Sequence, residues 1–332
     1  MTRILRFLGL RLAGLAAVLL VLTFCTYVVF YLVPSDPAQL ACGRPCTPEN
    51  LAAAKAFMGF DQPWWRQFLD FLGGLVAGRS FGTGVTAIQC PAPCFGYSFQ
   101  QNAEVIELIG QRLPVTFSLV LGAAVCWLVA GVTAGVFAAL RRGGPWDRLT
   151  TIGAVAGMST PIFLAGLLAI LLFGFTLGVL PVGGYVPFAR NPAEWAAHLI
   201  LPWLVLTFVY AGFYARLTRS QLLETLGEDY IRTARAKGLP ERKVIGKHAL
   251  RNVSLPVLTR FGTDLGGLLG GVVITERVFG MPGLGGLLID AVQQQDLPVL
   301  LGCTLFAALL VVSANLLVDL CYGALDPRAR LT

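Results

Sequence analysis

Side chains that could carry out acid–base or nucleophilic catalysis are few in this chain. Histidine occurs only twice, as His198 and His248, and neither lies in a pattern that pairs a base with a nucleophile. A phosphate-binding loop is also missing, because Gly246-Lys247 is followed by His248 and lacks the upstream glycine of that motif. The sequence therefore predicts no catalytic residues, no metal site and no cofactor in this chain.

One pair of opposite charges lies inside an apolar stretch. Asp264 follows Arg260 by one helical turn, and an acid near a bilayer centre costs roughly 2.5 to 3.5 kcal/mol unless it faces protein or water. The pair is either structural or part of a solute pathway, and the residues leave both open. Glycines of the same stretch suit helix packing or a pathway wall. The candidate pathway residues are Asp264, Arg260, Gly266 and Gly270.

Half of the eight cysteines lie together in a region outside the apolar stretches. They are Cys42, Cys46, Cys90 and Cys94. Outside the cytoplasm such thiols can remain oxidised, which favours two disulfides. Three connectivities are possible. We hypothesise a structural clamp, in which two cross-links between the 42/46 pair and the 90/94 pair would close a loop and contribute roughly 4 kcal/mol. A four-thiolate metal site and free thiols are the alternatives, although the three-residue spacing is a weak zinc signal.

A basic segment between two apolar stretches has the pattern of a helix–turn–helix. The first helix is predicted to begin at Glu228 and to end near Lys237. Gly238 can adopt the left-handed conformation that closes a helix, and Leu239 would pack back on the turn. Pro240 then begins a second helix, since a proline is tolerated at the first helical position.

Two interpretations of this segment compete. Its arginines and lysines could form a solvated face that lies against anionic lipid. The small residues Ala234, Ala236 and Gly238, however, would let another protein approach closely, which favours a docking surface. DNA binding is excluded, because the neighbouring apolar stretches would hold the segment against the bilayer.

The composition is that of an integral membrane protein. Hydrophobic residues make up 56% of the chain and charged residues 13%, which is about half the charged share of soluble domains. Most of six apolar stretches reach the roughly 20 residues that a helix needs to cross the hydrocarbon core. They run over 12–33, 113–140, 149–180, 199–214, 253–275 and 297–318. We therefore predict an all-α protein with six transmembrane helices.

The distribution of basic residues predicts the orientation. Arginine and lysine are concentrated before the first stretch and in alternate connections, which places both termini and the basic segment in the cytoplasm. The predicted division is a cytoplasmic stub with helix 1 over 1–33, an extracytoplasmic region over 34–112, and a transmembrane domain over 113–332 with a cytoplasmic coupling loop at 215–252. Helices within the external region are predicted to begin at Thr47-Pro48 and at Pro63.

Motifs along most of the chain resemble the inner-membrane permease subunits of dipeptide, oligopeptide and nickel ABC importers. Glu228, Ala234 and Gly238, with Leu255-Pro256 further on, are similar to the "EAA" loop by which such subunits dock on their ATPases. The other matching motifs are Val33-Pro34-Ser35-Asp36-Pro37, Gly78-Arg79-Ser80-Phe81, Arg112-Leu113-Pro114-Thr116, Ser159-Thr160-Pro161-Phe163, Leu180-Pro181-Val182, Pro282-Gly283-Leu284-Gly285 and Asp326-Pro327-Arg328. Residues 85–100 look like an insertion, so the resemblance gives no information about them.

The resemblance implies a transport subunit in a bacterial cytoplasmic membrane, with ATP and Mg²⁺ bound by separate partner chains. Its expected partners are a second permease subunit that forms a homologous heterodimer, two ATP-binding subunits, an extracytoplasmic binding protein that delivers peptide, and membrane lipid, with no nucleic acid. The residues expected to couple to the ATPase are Glu228, Asp229, Ala234, Lys237, Gly238, Leu239 and Pro240.

Other transport functions remain open at this point. An ion-coupled secondary transporter could use Asp264 as its coupling acid, although no inverted repeat is apparent. Within the ABC class, the cargo could also be glutathione, a nickel chelate or an opine.

Overall fold

The protein is built almost wholly from helices, with two short antiparallel hairpins. The computed structural model describes residues 2–32, 46–58, 62–82 and 87–325. The helices are α1 (Thr2–Leu32), α2 (Pro48–Met58), α3 (Trp64–Ala77), α4 (Val105–Leu140), α5 (Pro145–Ser159), α6 (Ile162–Ala169), α7 (Pro192–Leu226), α8 (Asp229–Ala236), α9 (Glu241–Lys243), α10 (Leu250–Leu269), α11 (Val273–Val278), α12 (Leu284–Gln294) and α13 (Leu297–Leu325). The strands are β1 (Arg79–Phe81) with β2 (Ile88–Cys90), and β3 (Tyr97–Ser98) with β4 (Ala103–Glu104).

Several helices have the length and composition of membrane spans. Three qualify singly: α4, α7 and the first 22 residues of α13. A fourth results if α5 and α6, with the π-helical turn Ile170–Thr176 that continues α6, count as one span that bends by 105°. The protein is thus a multi-pass helical membrane protein, and the part of the chain that the structure describes contains three or four clear spans.

The third and fifth predicted spans are broken rather than straight. Ser159 ends α5 and Pro161 precedes α6. Proline cannot continue a helix because it lacks the amide donor, and it restricts the residue before it. The fifth stretch stops at Leu269, and Gly270, Gly271 and Val272 separate α10 from α11. In α1, Ala16–Val29 is a shorter apolar helix segment.

One compact unit comprises residues 1–116 and 282–312. Its apolar core joins the β3–β4 hairpin and the start of α4 to α12 and the start of α13, through residues such as Phe95, Val105, Leu287 and Val299. The α1 helix packs on α3, where the Phe68 ring contacts both Phe24 and Tyr27 with centroids 5.5 and 5.3 Å apart.

In the region after α1, the helix start predicted at Thr47-Pro48 is confirmed, and the helix predicted at Pro63 begins one residue later, at Trp64. The amide of Asn50 donates a hydrogen bond to the Thr47 hydroxyl at 3.2 Å, so Thr47 caps α2. Pro63 occupies the position before α3, and the helix buries Phe71 and Gly74. Trp64 and Trp65 remain 40% and 55% exposed.

The cysteine cross-links differ from the prediction. Cys90 is bonded to Cys94, with Cα atoms 5.6 Å apart, so neither can bond to Cys42 or Cys46. Cys46 is also disulfide-bonded, while Cys42 lies outside the described residues. The prediction of cross-links between the two pairs is therefore wrong. The strand β2 ends at Cys90, and the turn that follows returns Cys94 beside it, which makes the local bond the shorter route.

The second compact unit comprises residues 117–281 and 313–332. The closest packing in it is between α5 and α7. A Cβ at Gly157 would lie 2.2 Å from the Phe208 carbonyl oxygen, and one at Gly212 would lie 2.8 Å from the backbone of Ala154. These two glycines therefore set how closely the two helices approach.

Candidate coupling segment and intramembrane ion pair

The basic segment forms the predicted helix–turn–helix. In α8, Glu228 is the N-cap residue and Lys237 the C-cap residue. Gly238 has φ +76°. Its amide donates to the Arg235 carbonyl at 2.9 Å, and the Leu239 amide donates to the Ala234 carbonyl at 3.3 Å. These two bonds form a Schellman motif, which satisfies carbonyls that the helix end would otherwise leave unpaired.

Four apolar side chains of the segment are buried. Ile231 and Ala234 of α8 are 0% and 7% exposed, and Val244 and Ala249 are both 0% exposed. The reason for including Ala234 in a docking surface, that a small exposed residue lets another protein approach, therefore does not apply to it. Ala236 and Gly238 are exposed, and a Cβ at Gly238 would meet nothing within 4 Å.

The second helix begins one residue later than predicted. Pro240 has an extended ψ of 140° and is the N-cap residue of α9, so Glu241 is the first helical residue. After α9, the π-helical turn Val244–Ala249 leads directly into α10. A continuous helical backbone thus connects the turn at Gly238 to the stretch that contains Asp264.

Charged side chains cover the outer face of the segment. Arg235 is paired with Glu241 across the turn at 2.6 Å, although both side chains are about half exposed. The hydrogen bond from Arg235 lowers the pKa of the Glu241 carboxyl. Arg242 and Lys243 in α9 are exposed as well. The surface around the turn is therefore polar and basic, with small residues at its centre.

The predicted partnership of Arg260 and Asp264 is present in α10. The guanidinium donates to both carboxylate oxygens, with Nη2 to Oδ1 at 2.7 Å and Nε to Oδ2 at 2.9 Å. Two side chains of α7 join the pair. Tyr214 donates its hydroxyl proton to Asp264 at 2.9 Å, and Phe213 lies 4.7 Å from the guanidinium carbon. The Asp264 side chain is 7% exposed and that of Arg260 is 44% exposed.

The glycines of α10 have different surroundings. A Cβ at Gly262 would lie 2.1 Å from Val318 of α13, and Gly266 is buried, which favours packing at both positions. Gly267, in contrast, faces open space. Gly270 is the C-cap residue of α10.

A second ion pair was not foreseen from the sequence. Arg219 of α7 donates to Asp147 of α5 through Nε at 2.6 Å and Nη2 at 2.9 Å, and the Gly143 amide donates to the same carboxylate at 2.9 Å. The sequence did indicate that Asp147 lies at the start of a helix, because an acidic residue two positions after Pro145 is typical of a first helical turn. Its partner is 72 residues away, however, and no local pattern indicates it.

Over the described parts of the chain, no group of three or more His, Cys, Asp or Glu residues lies close enough together to hold a metal ion.

Long apolar helices that carry one exposed basic helix–turn–helix define a membrane transport subunit. Residues 131–331 match the family of binding-protein-dependent transport system inner membrane components, and residues 4–120 match the N-terminal family of the same components. The chain belongs to this family and is the permease of an ABC transporter, whose ATPase and substrate-binding protein are separate subunits.

Named relatives are similar over nearly their whole length. The dipeptide transport system permease protein DppB of Escherichia coli (strain K12) is 37% identical over 350 residues, covering 98% of this chain and 99% of that protein. A Brucella abortus (strain 2308) protein, assigned by name to peptide transport system permeases, is 39% identical over 320 residues, covering 96% and 97%. A structure of the MetNI methionine ABC transporter in an inward-facing conformation has a TM-score of 0.52 at 18% identity, covering 67% of this chain and 97% of that chain. The last similarity concerns the fold alone.

Proposed function

We propose that this chain is the permease subunit of an ATP-driven importer that carries peptides across a bacterial cytoplasmic membrane. The names of the relatives from Escherichia coli and Brucella abortus support peptides as the cargo. A binding-protein-dependent family does not favour the ion-coupled alternative.

The proposed topology has six spans with both termini in the cytoplasm. The spans would be α1, α4, the bent α5–α6 pair, α7, α10 with α11, and α13. Residues 34–112 would then lie on the extracytoplasmic side, together with α12, where the binding protein could reach them. The concentration of arginine and lysine on the side of α8 and α9 supports this orientation.

We assign ATPase docking to the surface of α8 and the turn after it. The observation that carries this assignment is the Schellman-closed turn at Gly238, which is exposed and where an added Cβ would meet nothing within 4 Å. Glu228, Asp229, Lys237, Leu239 and Pro240 surround it. Ala234 acts indirectly, because its burial holds α8 on the rest of the segment.

The helical connection from α9 to α10 suggests how the ATPase moves the membrane part. From Glu241 to Asp264 the backbone is helical without a loop, a rise of about 35 Å. A displacement of the turn would therefore be carried to the Arg260–Asp264 pair. The exposed side of Arg260 could contact a carboxylate of the cargo there. A second, homologous permease chain and two ATPases would complete the transporter.

Replacing Gly238 with valine tests this function. A β-branched residue is strongly disfavoured at φ +76°, at a cost of about 1–2 kcal/mol or more, which corresponds to roughly tenfold in an equilibrium. Gly238→Val should lower ATP-dependent peptide uptake by about tenfold or more and reduce copurification of the ATPase, while the amount of permease in the membrane stays the same.

The matched control is Gly178→Val. Gly178 also has a positive φ, +62°, and nothing within 4 Å, but it lies in the connection after α6. This variant should retain uptake. If Gly238→Val assembled with the ATPase and imported peptide as well as the unmodified protein, the proposed role of the turn would be refuted.

A further inference from the structure

An apolar groove runs between α4, α5 and α7, and it is lined by none of the residues of the coupling segment or of the Arg260–Asp264 pair. Its volume is about 560 Å³, which is within the range of small-molecule sites. Small residues form its floor and leave room for a narrow occupant. They are Ala130, Ala134, Gly153, Ala154, Ala211 and Gly212. Phe137 and Phe208 form its rims and are 60% and 46% exposed.

One end of this groove is basic. Arg141 and Trp146 line it there, and a neighbouring hollow is lined by Pro145 and Arg148. The only carboxylate near this end in the described structure, Asp147, is already held by Arg219. No salt bridge within 4 Å involves Arg141 or Arg148 among the described residues. The groove thus combines an apolar channel with a positively charged mouth beside a tryptophan, a residue typical of the membrane–water interface.

The length of the groove matches one leaflet of a bilayer. Ala130 and Arg141 lie at its two ends along a single helix, so it extends about 16 Å at 1.5 Å per residue. One leaflet of hydrocarbon is about 15 Å thick. The basic mouth would then be at the level of lipid head groups when the apolar part is at the level of the acyl chains.

We propose that this groove is a binding site for an anionic phospholipid, with an acyl chain between α4, α5 and α7 and its phosphate at Arg141 and Arg148. Basic pockets between transmembrane helices on the cytoplasmic side bind anionic head groups in this way. A helix of a second permease chain fits less well. By the positive-inside rule, its own basic ends would lie beside these arginines and repel them.

Native mass spectrometry of the purified full-length chain tests the site with defined lipids. The probes are palmitoyl-oleoyl phosphatidylglycerol and, for comparison, the zwitterionic phosphatidylcholine with the same chains. Arg141→Gln with Arg148→Gln should weaken phosphatidylglycerol binding by roughly fivefold for each arginine and leave phosphatidylcholine unchanged. Arg190→Gln, an exposed arginine in the connection after α6, is the matched control and should bind like the unmodified chain.

Filling the groove tests its apolar part. A Cβ at Gly153 meets nothing within 4 Å, so Gly153→Leu enters the groove without a clash. It should reduce binding of both lipids by about tenfold. Gly110→Leu places the same side chain on another helical glycine with no neighbour within 4 Å and should have no effect.

Two results would overturn the proposal. The first is binding of phosphatidylglycerol that is unaffected by the arginine pair or by Gly153→Leu. The second is efficient cross-linking of Gly153→Cys to the second permease chain in the assembled transporter, which would identify the groove as a protein interface. Failure of peptide import would not affect either readout, so the lipid site is tested independently of the proposed function.

Discussion

At the scale of single residues, Asp264 shows how a charge is tolerated in an apolar helix. Its carboxylate accepts hydrogen bonds from Arg260 and from Tyr214, and the α7 helix covers it. Hydrogen bonds to charged groups contribute about 1.5–3 kcal/mol each, which offsets the cost of placing an acid there. The two side chains of the pair differ in exposure. Arg260 donates to Asp264 through two nitrogens and yet remains 44% exposed, whereas Asp264 is 7% exposed.

Asp264→Asn should lower peptide uptake by about tenfold without lowering the amount of permease in the membrane, because losing a charged hydrogen-bond partner frees Arg260 to reorient. Uptake into membrane vesicles and quantitative immunoblotting measure the two effects. Thr263→Val, an exposed neighbour on the same helix, is the control and should transport normally. Unchanged uptake in Asp264→Asn would remove the pair from the transport mechanism.

Asp296 is a buried acid outside the spans. It is 1% exposed, accepts a short hydrogen bond from the Ser98 hydroxyl, and accepts one from the Val299 amide at 3.5 Å, so it caps α13. Burial raises the pKa of its carboxyl, against the lowering effect of these hydrogen bonds. The charged form is thus disfavoured in the folded protein.

This raised pKa has a defined effect on stability. The contribution of Asp296 is fully present below its ordinary pKa of about 3.9 and is lost as the pH rises through the higher pKa of the folded state. Asp296→Asn cannot ionise. It keeps one acceptor oxygen for the Val299 amide, and its amide nitrogen can donate to the Ser98 hydroxyl oxygen. Its unfolding temperature should therefore fall less than that of the unmodified protein between about pH 4 and pH 7. Identical pH profiles of thermal unfolding in detergent would contradict the assignment.

At the scale of elements, glycine positions determine which helices approach closely. Gly153 and Gly157 lie one turn apart on α5, yet only Gly157 contacts α7, through the Phe208 carbonyl. An added methyl group should therefore lower the stability of the protein at Gly157 but not at Gly153.

Gly157→Ala should destabilise the protein by about 1–3 kcal/mol, because backbone must move to admit the new Cβ. Gly153→Ala should be neutral or stabilising by up to about 1 kcal/mol, because alanine favours the helix and the space is open. Thermal unfolding of the two purified variants in the same detergent measures the difference. Equal effects at both positions would show that α5 does not pack on α7 in this register.

Features that depend on neighbouring residues were predictable from the sequence. Thr47 as a helix cap, Gly238 as a left-handed turn residue and the one-turn spacing of Arg260 and Asp264 each follow from local chemistry. Contacts between distant parts of the chain were not predictable. Tyr214 lies 50 residues from Asp264, and Ser98 lies 198 residues from Asp296, so no periodicity or spacing indicates either partner.

The pairing of the cysteines could likewise not be predicted from the sequence. The sequence pointed to oxidised cysteines, but the choice among pairings depends on how the backbone turns after Cys90. The break before Pro161, in contrast, could have been predicted from the local sequence, since a proline in an apolar run kinks or ends a helix. Composition alone had suggested one uninterrupted span there.

At the scale of the whole molecule, the exposed surface carries large apolar side chains that are favourable in the hydrocarbon of a bilayer. Large apolar side chains of α5 and of the π-helical turn after α6 are open to the surroundings, including Ile152 at 67% and Phe175 at 71% exposure. Backbone hydrogen bonds within the helices satisfy the polar groups that lipid cannot.

The energy source of transport distinguishes the proposed importer from an ion-coupled carrier. Peptide uptake should continue when the proton gradient is collapsed and should stop when the nucleotide-binding site of the partner ATPase is inactivated. Vesicles loaded with ATP and treated with a protonophore measure the first effect, and the same vesicles with the ATPase variant measure the second. Uptake that followed the proton gradient instead would contradict the assignment.

The helix–turn–helix at Gly238 has a consequence for biogenesis. Its capping bonds, the Arg235–Glu241 pair and the bond from Asn252 to Tyr230 all join residues between Glu228 and Asn252. Structures with only short-range contacts form within microseconds to milliseconds, whereas a ribosome adds roughly 5–20 residues per second. The nascent chain therefore has this segment in its final shape before α13 has been synthesised, and a waiting partner could recognise the protein while translation is still in progress.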